Sequence, residues 1–94
     1  MSEVVEWEAA FVVRSPLGLH ARPAGQFVLL TEGFESEISV GRGEDWVDGR
    51  SVLSLLSLAA AAGTTLKIRA KGPDAREAAE ALGELLETDH DGGS

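Results

Sequence analysis

No cysteine occurs among the 94 residues, so neither a disulfide nor a thiolate metal site can hold this chain together or do its chemistry. Basic residues are also scarce. Eight Lys and Arg against sixteen Asp and Glu leave a net charge of −8, which repels a phosphate backbone and sets nucleic acid aside as a partner. The longest apolar tract, "VLSLLSLAAAA" at 52–62, is too short to span a bilayer and contains two serines, so no membrane insertion is expected. The opening "MSEVVEWEAAF" has no basic region before its apolar residues and does not look like a secretory signal. A cytoplasmic protein is expected, and the lack of cysteine is compatible with that. No glycine-rich nucleotide motif appears, and no Asp or Glu cluster stands at metal-ligand spacing from a histidine, so neither cofactor nor metal is expected.

What remains is an ordinary globular composition, 44% hydrophobic and 26% charged. A chain of this length buries roughly 60 to 70% of its unfolded surface, which allows one core and not two. A single domain over 1–94 is expected, with its core at about 8–86 and a polar tail at 88–94.

Element order follows from the period of the apolar residues. "EAAFVV" at 8–13 reads as a strand with Phe11 and Val13 on one face, broken by "RSPLG". In "HARPAGQFVLLTEG", Ala24, Phe27, Val28 and Thr31 recur at three- and four-residue steps until Gly33, which reads as a helix. "FESEISV" alternates, "GRGED" supplies a turn, and "WVD" returns as a short strand. "SVLSLLSLAAAAG" predicts a second helix from an N-cap at Ser51 to a stop at or before Gly63. "TTLKIRAKG" sets Leu66, Ile68 and Ala70 against Lys67, Arg69 and Lys71, a strand with one buried and one wet face. The last helix carries Ala75, Ala78, Leu82, Leu85 and Leu86 on one stripe, with Asp74 and Glu77 spaced as a capping box. The order is βαββαβα. It predicts an α+β chain with one four-stranded antiparallel sheet, three helices on one face and the other face polar.

One histidine falls at the junction of the first strand and first helix, in "SPLGLHARPAGQF" at 15–27. It can be a capping residue on a solvated loop. Alternatively, it is a nucleophile. Three or four N–H groups at a helix start lack intrahelical partners and the dipole is positive there, so a phosphoryl group on a neutral His20 would be received by those donors and by Arg22. Pro23 in the first turn costs no hydrogen bond, and Gly18 lets the loop turn tightly. Position alone leaves both readings standing.

The motif "GLHARPA" at 18–24 resembles the active-site motif of the histidine-containing phosphocarrier (HPr) family of the phosphoenolpyruvate-dependent sugar phosphotransferase system. "DGRSVLSLLSL" at 48–58 is similar to that family's second signature, at the matching distance from the histidine. The resemblance implies an open-faced β-sandwich over about 8–86. It implies that His20 accepts a phosphoryl group on its δ nitrogen from enzyme I and passes it to an EIIA-type acceptor, a phosphohistidine carrier in sugar transport rather than a turnover enzyme. Arg22 would steady the phosphoryl group, with Gly18, Leu19, Ala21 and Pro23 shaping the loop and helix start. Ser51 matches the serine that an ATP-dependent kinase modifies, and a phosphorylase restores, in some members. That raises the alternative of a regulatory protein of the same fold, against the plain reading of Ser51 as a good N-cap.

Two departures bear on partners. Leu17 stands where many members have Asn or Ser, and a leucine there also occurs in members resembling the nitrogen-type branch. Leu29 and Glu32 replace lysines common in sugar-pathway carriers, so docking must rest on apolar contacts around Arg22 and Arg50. The second helix is apolar almost all round, so either it is sunk in the core or part of it is a docking face. With the resemblance, Leu53 and Leu56 are expected outward beside Leu17, Arg50 and Val52, with Leu55 and Leu58 inward. Trp7 and Trp46 read as partial packing residues and His90 as inert. A monomer is expected.

Overall fold

The computed structural model describes residues 5–88. Its elements run β1 (Val5–Val12), α1 (Ala21–Thr31), β2 (Glu37–Arg42), β3 (Asp45–Asp48), α2 (Val52–Ser57), β4 (Thr65–Gly72) and α3 (Ala75–Glu87). The strands form one antiparallel sheet in the order β1-β4-β2-β3. This is the βαββαβα open-faced sandwich that the alternation in β4 foretold.

β4 explains the layering. Paired on both sides, it buries Leu66, Ile68 and Ala70 completely, and these join Ile38 and Val40 of β2 in one cluster with Ala24 and Phe27 of α1, Leu55 of α2 and Ala78 and Leu82 of α3. All three helices therefore cover the same face. On the other face Arg69 bonds Glu8 (3.1 Å) and lies 4.0 Å from the ring of Trp46, which covers Gly41 of the neighbouring strand. A side chain that alternates outward from the central strand thus finds charged and aromatic partners rather than core. Trp7, opposite Ala70 at the other edge, lies under the Arg76 guanidinium at 5.2 Å.

Three expectations need correction. β1 begins at Val5, not residue 8, because all eight residues pair with β4, although residues 5–8 are exposed and so give no burial signal. Asp74 is the N-cap of α3 but makes no side-chain cap bond. Its carboxylate instead accepts from the Ser36 hydroxyl (2.5 Å), the Glu35 N–H (2.9 Å) and the Ser36 N–H (3.0 Å), tying the loop before β2 to the start of α3. Those bonds, the Ser36 hydroxyl foremost, hold the Asp74 carboxyl below its ordinary pKa.

The third concerns α2, whose expected stop at or before Gly63 falls as early as Ser57, after six residues and ahead of the alanine run. Alanine is the best helix former, yet Ala59 turns into the left-handed region at φ 50°. Tertiary bonds override propensity here. The Arg42 guanidinium donates to the carbonyls of Leu58 (2.8 Å) and Ala59 (3.1 Å), and the Ala60 carbonyl accepts from the Leu19 N–H (2.8 Å).

α3 crosses β1 by a close approach, with the Phe11 ring filling the space that a Cβ on Gly83 would need. His90 and residues 89–94 of the tail lie outside the described residues. Among the described residues no helix is long and apolar enough to cross a membrane.

Candidate functional site at the start of the first helix

After Val13 the chain leaves the sheet, turns through a Gly18 N–H bond to the Ser15 carbonyl (2.8 Å) and enters α1. Gly18 is required at this turn. Its φ is 77°, and a Cβ would run into the Ala60 carbonyl oxygen. Leu19 is buried in the core, which fixes the chain immediately before the histidine.

His20 is the N-cap of α1, extended at φ −93° and ψ −170°, and its carbonyl accepts the Ala24 N–H (3.0 Å). The residue is half-buried, and its side chain makes no cap bond. Part of the cause is local. An N-cap side chain bonds the N–H of the second or third helical residue, and the third here is Pro23, which has no N–H to offer. Pro23 also reduces the donors available to an anion. With Ala24 bonded to His20, the first turn retains the N–H groups of Ala21 and Arg22, two rather than three or four. Both residues are exposed, and Arg22 brings its guanidinium to the same end of the helix. A half-buried imidazole is thereby placed at the positive end of a helix, next to two N–H donors and a cation, which is an arrangement for holding an oxyanion on or beside the ring.

α2 packs beside α1 and starts differently. Ser51 is its N-cap, and its hydroxyl accepts the Ser54 N–H (3.2 Å), so the plain capping role is present. Leu53 is 81% exposed and Leu17 71% exposed, while Leu55 and Leu58 are buried. Leu56, expected outward, is half-buried against the core, as is Val52, because a six-residue helix presents most of its circumference to α1 and the sheet. Arg50 is exposed, but its guanidinium is used by the fold, donating to the carbonyls of Phe34 and Ser36 (2.9 Å each).

The sequence model described as the PTS HPr component phosphorylation site matches residues 7–88, nearly the whole described chain. The chain belongs to the HPr family. It is 41% identical over 78 residues to the phosphocarrier protein HPr of Pseudomonas aeruginosa, covering 82% of this chain and 87% of that one. Among solved structures, HPr of Bacillus anthracis superposes with a TM-score of 0.83 at 32% identity, over 87% of this chain and 98% of that one. The Bacillus subtilis catabolite repression protein Crh, a domain-swapped dimer, superposes with a TM-score of 0.71 at 36% identity, over 80% and 86%. HPr membership supports a phosphocarrier role in the phosphotransferase system.

The sequence singles out His20 and Arg22 but not Ala60, whose carbonyl meets the loop before His20, nor Arg42, which bonds the two carbonyls just before Ala60. An arginine in a hairpin and an alanine in an alanine run carry no sequence signal for that.

Proposed function

We propose that this HPr-family chain carries a phosphoryl group on His20 between enzyme I and an EIIA-type acceptor, in the cytoplasm and as a monomer. The carrying observation is the open helix start, where a histidine takes the N-cap position without capping, and the N–H groups of Ala21 and Arg22 and the Arg22 guanidinium are left for an anion. The Nδ1 lone pair of His20 attacks phosphorus on enzyme I. The new N–P bond forms as the donor's bond to phosphorus breaks, and the donor atom keeps the electron pair. Arg22 and the helix N–H groups steady the three phosphoryl oxygens and do not themselves make a bond. A second transfer of the same kind hands the group to the acceptor. Leu17 and Leu53 form the apolar centre of the docking face, and the half-buried Val52 and Leu56 support it from below. Arg50 contributes through the loop it holds.

The experiment is labelling with phosphoenolpyruvate and enzyme I. One acid-labile phosphate is expected on the wild type and none on His20→Ala, whose thermal midpoint stays close to the wild-type value because a helix-entry residue adds little to the core. Arg22→Ala still takes phosphate, but about 10- to 100-fold more slowly, the worth of a charge-assisted contact. Retained acid-labile phosphate on His20→Ala sinks the reading.

A second reading is regulation through Ser51 by a serine kinase and phosphorylase. It is favoured by the placement of the Ser51 hydroxyl at a helix start, where phosphate is well tolerated, and by the likeness to Crh. Incubation with such a kinase and ATP should then give acid-stable phosphate that Ser51→Ala lacks.

A further inference from the structure

The loop that presents His20 rests on the turn that follows α2, where Leu19 and Ala60 are both buried and a backbone bond joins them. The Leu19 N–H donates to the Ala60 carbonyl, and Gly18 has no side chain because that same oxygen occupies the space. The height of His20 over the helix start is thus set by where the Ala60 carbonyl points.

That carbonyl is not positioned by helical structure. α2 has ended, Ala59 stands at φ 50°, and a residue with a Cβ holds such a conformation only when its surroundings impose it. The Ala59 N–H donates to the Leu56 carbonyl and its neighbours Leu58 and Ala60 are buried, but one side chain acts on the bend from outside this segment. Arg42, the last residue of β2, reaches across from the hairpin and donates through the same Nη1 to the carbonyls of Leu58 and Ala59, on either side of the bend. A cation there also complements the negative end of α2. The residue is exposed, and the two carbonyls it bonds belong to neither His20 nor Leu17, Leu53 or Leu56.

We propose that Arg42 is a positioning residue for phosphoryl transfer. It holds the bend at Ala59, the bend aims the Ala60 carbonyl, and the carbonyl fixes Leu19 and with it the imidazole of His20. This rests on the carrier reading of His20. The β2–β3 hairpin, at the far side of the sheet from β1, is thereby tied to the phosphoryl-bearing loop.

Two measurements on Arg42→Ala and Arg42→Lys test it. Amide hydrogen exchange at Leu19 should rise about tenfold in Arg42→Ala while Leu82, deep in α3, keeps its protection, since only a local opening is released. In transfer from enzyme I, kcat should fall about three- to tenfold with KM unchanged, because misplacing the imidazole weakens the reacting geometry and not the docking face. Arg42→Lys, which keeps a cation within reach of the carbonyls, should recover most of both. Wild-type exchange at Leu19 overturns the proposal, and so does a parallel rise at Leu82, which would make Arg42 a general stabiliser. A change in KM with kcat intact overturns it too, since it would place Arg42 in docking. Exchange is read without a phosphate donor, so a wild-type chain that takes no phosphate from enzyme I overturns the carrier reading and leaves the link from Arg42 to Leu19 standing or falling on its own.

Discussion

The two helices that pack against each other, α1 and α2, begin in opposite ways. α2 starts with a serine whose hydroxyl accepts the Ser54 N–H at the third helical position, and its second position, Leu53, points an apolar side chain into solvent. α1 starts with a histidine, has proline at the third position where there is nothing to cap, and places the cation of Arg22 at the second. One start is closed on itself and shows a leucine. The other is left open and shows donors. Capping and anion binding compete for the same N–H groups, so a helix start closed by its own cap, as in α2, has fewer donors for an anion than an uncapped one, as in α1.

The largest effect that sharpens this contrast lies at the second helical position. Leu53→Glu should weaken binding to enzyme I by about 1 to 3 kcal/mol, the cost of a charge in the dry middle of a transient contact, with the urea midpoint unchanged. A collapsed midpoint would refute the outward placement, and normal binding would refute the docking role. Leu55, fully buried two residues on, is the control: Leu55→Ala should cost about 2 to 5 kcal/mol of stability.

Next come the caps themselves. Ser51→Ala should cost about 1 kcal/mol, read as a lowered thermal midpoint. The converse change, His20→Ser, should gain less than Ser51 contributes to its own helix, because Pro23 removes the third-position donor and leaves only the Arg22 N–H at the second. A stabilisation by His20→Ser as large as the Ser51 effect would show that the first helix start can be capped as well as the second, and would break the comparison.

The smallest effect belongs to the third start. Asp74 has its pKa lowered in the folded chain, so the folded state binds its proton less readily than the unfolded state, and stability falls as pH drops. Its contribution is whole above the unfolded carboxylate value of about 4 and fades as pH falls through the lowered folded value. Urea midpoints of wild type and Asp74→Asn should therefore differ at pH 7 and converge in strong acid. An equal gap at both extremes would mean that the charge is immaterial.

These starts also show how far the sequence could be read. Strand β4 and helices α1 and α3 were legible because each repeats one period for long enough, and the resulting order gave the sheet with its single covered face. His20 and Arg22 were legible as a motif, and Leu53 as an excess of leucine on a short helix. The partners of side chains that reach elsewhere were not. Asp74 stands at capping-box spacing yet bonds a loop 38 and 39 residues away, and Ala59 leaves the helix that its own propensity favours because Arg42 holds it from another strand. Local spacing determines what a residue can do, and only the fold determines which of its options is taken. The half-burial of Leu56 has the same origin, in a helix too short to have a far side.

The meeting of Gly83 with the Phe11 ring has a mechanical meaning. A helix lying on a sheet can in principle creep along its axis, trading one set of small residues for the next. α3 cannot, since one turn to either side would bring Ala79 or Glu87, each with a Cβ, onto the aromatic ring. The glycine is a notch and the phenylalanine a key, and together they make α3 a fixed datum for the end of β1. Beyond that end the Arg14 N–H donates to the Leu86 carbonyl (3.0 Å), so the segment leading to His20 leaves the sheet from an anchored point. Between that anchor and the buried Leu19 only Ser15, Pro16, Leu17 and Gly18 intervene.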